Sequence, residues 1–108
     1  MNQVSVNNDK YRFSVQKRNG SIVPFNLEKI GSAIFKAAAA TGLESREEAD
    51  RLAGQVAEKL LAQAKDEVLS FCPSVESIQD LVEEVLRASP FPEVAKAYIL
   101  YREKRAAM

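Results

Sequence analysis

Residues 15–30 read Val-Gln-Lys-Arg-Asn-Gly-Ser-Ile-Val-Pro-Phe-Asn-Leu-Glu-Lys-Ile: a cationic turn, a returning strand and a helix start in one stretch. Lys17 and Arg18 stand immediately before Asn19-Gly20, a dipeptide suited to a tight hairpin turn. Upstream, Phe13-Ser14-Val15-Gln16 alternates apolar and polar as a half-buried strand does. Downstream, Ile22-Val23-Pro24-Phe25 is the returning strand, and Pro24, which cannot donate to a ladder, makes it short or places it at an edge. Asn26 then caps a helix, with Lys29 in its first turn. A cation there opposes the helix dipole, which favours anions at that end. Three cations at a hairpin and a helix N-terminus are an arrangement able to hold phosphates, which marks the stretch as a candidate nucleotide-binding element.

A two-stranded hairpin is marginal alone and must lie on something. The first helix carries its apolar stripe on Leu27, Ile30, Ile34 and Ala37/Ala38 and ends at Thr41-Gly42. Ser45 and Glu48 form a capping box for the second, whose buried face is Ala49, Leu52, Ala53, Val56, Leu60 and Leu61. Gly54, in its middle, is expected to mark a close helix contact. Val68–Cys72, stopped by Pro73, fits either a third strand joining the hairpin or the frayed end of the second helix. Ser74 caps a third helix with its stripe on Val75, Ile78, Leu81, Val82, Val85 and Leu86. The stiff Pro90-Phe91-Pro92 link precedes a fourth helix, from about Pro92 to Arg105, with Val94, Ala97, Tyr98 and Tyr101 on one side. The fold class that follows is α+β and mainly helical, a four-helix bundle capped by a small β-hairpin or three-stranded sheet.

Composition bounds the function. The 108 residues, 46% hydrophobic and 28% charged, suit one globular domain, here residues 13–108 behind a flexible polar arm at 1–12. No apolar run approaches the ~20 residues of a membrane span, and the N-terminus does not read as a signal peptide. A single cysteine, Cys72, makes no internal disulfide, and a reducing cytoplasm is the expected setting. The absence of histidine removes Ser-His-Asp and Cys-His catalysis and the usual zinc sites, and no glycine-rich phosphate loop is present, so no catalytic residue is expected. The charges are segregated: residues 1–36 carry six Lys/Arg against two acids, residues 96–108 four against one, and residues 37–95 five against twelve. If the basic ends meet in space they make one electropositive site. With a sequence pI near 6.3, a nucleic-acid partner is not expected.

Tyr98, Tyr101, Arg102 and Arg105 sit at i, i+3, i+4 and i+7, one helical face, with Lys104 beside it. That face reads either as an aromatic and basic wall closing the pocket of Lys17 and Arg18, or as a core edge with snorkelling cations. Lys17, Arg18 and Lys29 likewise fit either phosphate ligands or ordinary solvated surface.

Taken together, these motifs resemble the ATP-cone domain. Val15–Gly20, Val23–Asn26 and Lys29-Ile30 look like its opening, Ser74–Glu83 its third segment, and Glu93–Arg102 its closing helix. The resemblance covers about residues 13–105. It implies a non-catalytic regulatory module that binds ATP or dATP, usually at the N-terminus of the ribonucleotide reductase large chain, where ATP activates and dATP inhibits. It also implies a hairpin lid over nucleotide held on a four-helix bundle. By the same resemblance, Lys17 and Arg18 are phosphate ligands and Val15 lies beside the base. Val23, where some members carry an acid, offers the base only backbone and apolar contact. Lys29, Val75 and Lys104 complete the site that the resemblance implies; Tyr98, Tyr101 and Arg102 join it as nucleotide-binding residues on the wall reading of the closing helix. Mg²⁺ accompanies the triphosphate. The implied partners are the catalytic domain and other subunits of the reductase.

Two alternatives stand beside this reading. The domain also occurs in a zinc-ribbon repressor of reductase genes, but the residues before the motif contain no cysteine for a ribbon. A helical protein-interaction module with incidental basic residues is the other.

Overall fold

A computed structural model describes residues 10–107. Strands β1 (Ser14–Gln16) and β2 (Ile22–Pro24) form an antiparallel pair in which Val15 faces Val23 and Ser14 faces Pro24. Four helices follow: α1 (Leu27–Ala40), α2 (Arg46–Ala64), α3 (Val75–Ala88) and α4 (Pro92–Ala107). A short 3₁₀ turn, Val68–Ser70, separates α2 from α3. Each helix packs on the next and α4 closes back on α1, so the bundle is a ring of four with the hairpin at one end.

The hairpin turn differs in kind from a two-residue Asn-Gly turn. Gly20 N donates to Lys17 O at 2.9 Å and Lys17 N to Ser21 O at 2.8 Å, so Arg18-Asn19 is the central pair and Gly20 follows it. Gly20 has φ +90, whereas Lys65 is the only non-glycine residue described with positive φ. A primed two-residue turn would need positive φ at both its central positions. The chain instead uses the three-residue loop in which a glycine in the left-handed region absorbs the extra residue. Asn19 Oδ1 accepts from Ser21 N at 3.0 Å and stiffens the loop.

The 65–73 segment is neither a third strand nor an extension of α2. After the 3₁₀ turn, residues 71–73 run alongside β1: Ser14 N donates to Phe71 O at 3.1 Å and Gln16 N to Pro73 O at 3.0 Å. Pro73 offers only a carbonyl, and only a carbonyl is needed of it there. β1 is thus bonded on both sides, while β2, with Pro24, is the edge. Beneath them Phe13 is fully buried, 4.6 Å from the Phe25 ring centroid and 5.3 Å from that of Phe71.

The helix ends follow from their caps. Asn26 Oδ1 accepts from Glu28 N at 3.0 Å, Ser45 Oγ from Glu48 N and Ser74 Oγ from Ser77 N, each at 3.1 Å. Such a cap is worth about 1 kcal/mol. At the end of α1, Gly42 N reaches Ala39 O and Leu43 N reaches Ala38 O, both at 3.0 Å, with Gly42 at φ +96. That doubly bonded ending satisfies carbonyls the helix leaves open.

α2 buries Ala49, Leu52, Ala53, Val56, Ala57, Leu60 and Ala64, a continuous helical face. Gly54 is not a contact point: nothing lies within 4 Å of where its Cβ would be. The close approach between α1 and α2 is at Gly31, where a Cβ would meet Asp50 Oδ1 at 2.6 Å. Of the arm expected at 1–12, residues 1–9 lie outside the described residues. Tyr11 is buried, its hydroxyl donates to Glu58 on α2, and Lys10 pairs with the same carboxylate at 2.8 Å.

Candidate functional site

A cleft of about 700 Å³ opens between the hairpin turn, α1, α3 and α4; α2 contributes nothing to it. Each wall has its own chemistry. The turn supplies Lys17, Arg18 and Asn19 at the mouth. The first turn of α1, fixed by its Asn26 cap, supplies Glu28 and Lys29, and two helical turns on from Lys29 the same face supplies Lys36. α3 gives an apolar floor of Val75, Ile78 and Val82, with Gln79 beside it. α4 closes the far side with Tyr98, Tyr101 and Arg105.

Five cationic side chains line the cleft against one carboxylate, Glu28. Four come from the basic N-terminal segment and Arg105 from the basic C-terminal one, so the two segments do meet, because α4 packs on α1. Low-dielectric walls focus that potential into the cleft. None of these five cations except Arg18 has an ion pair among the described residues, so four of their charges are free for a ligand.

The aromatic wall is ordered. The Tyr98 and Tyr101 rings stand 6.0 Å apart, inclined at 34°. Arg105 lies over the Tyr101 ring, its guanidinium carbon 5.7 Å from the centroid, and donates to the Tyr101 hydroxyl at 3.3 Å. Tyr98 is 4% exposed, and burial pushes its hydroxyl up to about 12, against the opposing pull of Arg102. It remains a neutral phenol through the physiological range.

Of the residues singled out from sequence, Lys17, Arg18, Lys29, Val75, Tyr98 and Tyr101 line the cleft together. Val15 is buried under the hairpin and Val23 half-buried opposite it; neither is in the lining. Lys104 is exposed and outside it. Arg102 is not part of the wall. It is clasped by α3, with Nη1 2.7 Å from Glu83 and 2.9 Å from Asp80, and Nη2 2.8 Å from Glu76. Burial alone would lower the Arg102 pKa, but hydrogen bonds to Glu76, Glu83 and Asp80 outweigh it and the net shift is upward. Lys36 and Gln79 are cleft residues that sequence reasoning passed over. Lys36 was findable, since i and i+7 fall on one helix face.

Among the described residues no helix is long and apolar enough to cross a membrane, and no cluster of three or more His, Cys, Asp or Glu residues could hold a metal ion.

The sequence profile of the ATP cone domain matches residues 13–107. The chain is 46% identical over 99 residues to the vitamin B12-dependent ribonucleoside-diphosphate reductase of Thermoplasma acidophilum, covering 87% of this chain and 12% of that protein. It is 36% identical over 93 residues to the anaerobic ribonucleoside-triphosphate reductase of Haemophilus influenzae, covering 86% of this chain and 12% of the reductase. It is 33% identical over 108 residues to the ribonucleoside-diphosphate reductase subunit alpha of Chlamydia pneumoniae, covering 92% and 10%. The chain therefore spans about an eighth of the length of the first two relatives or less. Its likeness is to a small segment of each reductase.

Proposed function

The chain belongs to the ATP-cone domain family, and from that premise we propose that it is an allosteric sensor of ATP and dATP that sets the activity of a ribonucleotide reductase. The observation that carries this reading is the cleft itself: five cations on three elements facing one space, beside a tyrosine wall. Lys17 and Arg18 at the mouth and Lys29 at the start of α1 hold the triphosphate, where the helix dipole adds to their charge. Val75, Ile78 and the two tyrosines supply apolar surface for a base and ribose. Arg gives a planar fork and Lys a point charge, a combination suited to a chain of phosphates.

The residues fit nucleotide better than they fit a protein-held metal. Glu28 is the one carboxylate in the lining, so Mg²⁺ would be carried chiefly by the phosphates and water, as this ion commonly is. ATP binding promotes the active state and dATP the inhibited one. The signal passes through ordering of the hairpin and a change in assembly with the reductase's catalytic part and other subunits, in the cytoplasm.

Calorimetry with ATP, dATP, ADP and AMP, in magnesium, tests the proposal. Affinity should fall along ATP, ADP and AMP, and Lys17→Ala should flatten the series. A loss of about tenfold or more for ATP is expected, from the typical worth of a charged hydrogen bond. Adenosine binding as tightly as ATP, or a folded protein giving no heat with either triphosphate, overturns it. Sedimentation with and without dATP separates a sensor, whose assembly responds, from an interaction module, whose assembly does not.

A further inference from the structure

Arg18 lines the cleft, yet its side chain already has an anionic partner. Nε donates to a Glu76 carboxylate oxygen and Nη2 donates to Gln79 Oε1 at 3.2 Å. The other Glu76 oxygen accepts from Arg102 Nη2 at 2.8 Å. One carboxylate in the first turn of α3 therefore joins the hairpin turn to α4. Among the described residues, Arg18 provides the only side-chain hydrogen bonds between the turn, residues 17–21, and the helices.

We propose that Glu76 is an internal anion for Arg18, a tether of the hairpin that a nucleotide phosphate displaces, with Arg102 carrying the exchange to α4. The displacement step rests on the nucleotide reading above; the tether does not. Arg18 faces two anions, the Glu76 carboxylate and whatever enters the cleft. A phosphate chain carries more charge and more acceptor oxygens than one carboxylate, so the guanidinium fork transfers to it. Glu76 is then left to Arg102, which already holds Asp80 at 2.9 Å and Glu83 at 2.7 Å. Arg102, which already touches all three carboxylates, then balances Glu76 without Arg18, and the clasp between α3 and α4 shifts. Hydrogen bonds from Arg102 first and Arg18 second hold the Glu76 carboxyl below the usual carboxylate range, so the tether is charged at neutral pH.

Amide hydrogen exchange of the 108-residue chain tests both halves. Without ligand, Glu76→Gln should speed exchange at residues 14–24 about two- to fivefold, the range expected for an exposed ion pair. Asp80→Asn, which removes a carboxylate touching Arg102 but not Arg18, should leave those residues unchanged. At saturating ATP the wild type and Glu76→Gln should converge, and Glu76→Gln should bind ATP about two- to fivefold tighter because its competitor is gone. Equal hairpin exchange in wild type and Glu76→Gln without ligand overturns the tether, as does equal loosening by Asp80→Asn. Unchanged or weaker ATP binding by Glu76→Gln overturns the displacement. A wild-type chain that binds no ATP overturns the function proposed above, and the ligand-free comparison still decides the tether.

Discussion

Arg102 on α4 and Glu83 on α3 meet 2.7 Å apart, each side chain only about one-sixth exposed. Glu83 is also held by Arg87 at 3.0 Å, one turn along its own helix. A half-buried charge-assisted contact of this kind fixes how two helices sit against each other. Its value lies mainly in what its loss would leave behind, a Glu83 carboxylate in a partly desolvated place with Arg87 as its remaining partner.

Arg102→Ala should therefore lower stability by about 2 kcal/mol in chemical denaturation, the order expected for losing hydrogen bonds to charged groups. Lys104→Ala, on the exposed side of the same helix, should stay within about 0.5 kcal/mol of wild type. Equal effects at the two positions would show that the clasp contributes nothing.

Tyr98 gives the fold an alkaline limit. Its hydroxyl is pushed up to about 12 by burial, while in the unfolded chain it titrates near 10. Below pH 10 both states hold the proton and the contribution is complete. Between about 10 and 12 the unfolded state loses its proton first, so stability falls as pH rises. The group should account for at most about 2–3 kcal/mol across that window. Tyr98→Phe, which removes the titrating hydroxyl and keeps the ring, should change little at pH 7 and should shallow the alkaline limb. Urea midpoints from pH 7 to 11.5 for the two proteins check this; parallel curves would count against it.

Gly54 is half-exposed in the middle of α2 with open space where a Cβ would go. Gly54→Ala should stabilise the protein by about 0.5–1 kcal/mol, through helix propensity and a less free unfolded chain. Gly31→Leu is the contrasting variant, because its side chain would enter the α1–α2 approach beside Asp50. It should destabilise the protein by about 1–3 kcal/mol, the range for overpacking. A thermal melt of each protein suffices.

The parts of this fold that are readable in the sequence are the locally determined ones. Asn26, Ser45 and Ser74 cap helices because a short polar side chain reaches amides two or three residues on, a rule that needs no tertiary information. The stripes of α1, α2 and α3 are readable for the same reason. Where the reading failed, rotation or a distant partner decided. Taking about 100° per residue, Tyr101 and Arg105 lie to one side of Tyr98 and Arg102 to the other, nearer α3. A shared i, i+3, i+4, i+7 face is thus wide enough to be split between a cleft and a clasp. Lys104 falls about 120° from Tyr98 and leaves the face altogether. Phe71–Pro73 satisfies β1 from across the chain, and no local pattern announces that. The cleft residues Lys17, Arg18 and Lys29 were legible because turn and cap chemistry fixes their place; the Glu76 bound to Arg18 was not.

The pairing of Ser14 with Phe71 and of Gln16 with Pro73 also orders events in time. β1 cannot complete its bonds until the chain has passed through α1 and α2 and returned, and long closures are made late. Successive helices have no such wait; within the ring only the closure of α4 on α1 is as long. Substitutions under the hairpin, such as Val15→Ala, should act chiefly on the unfolding rate, and Val56→Ala in α2 more on the folding rate. The element at the mouth of the cleft is then expected to open locally before the helical ring does, which amide exchange would read as weaker protection at residues 14–24 than in α2.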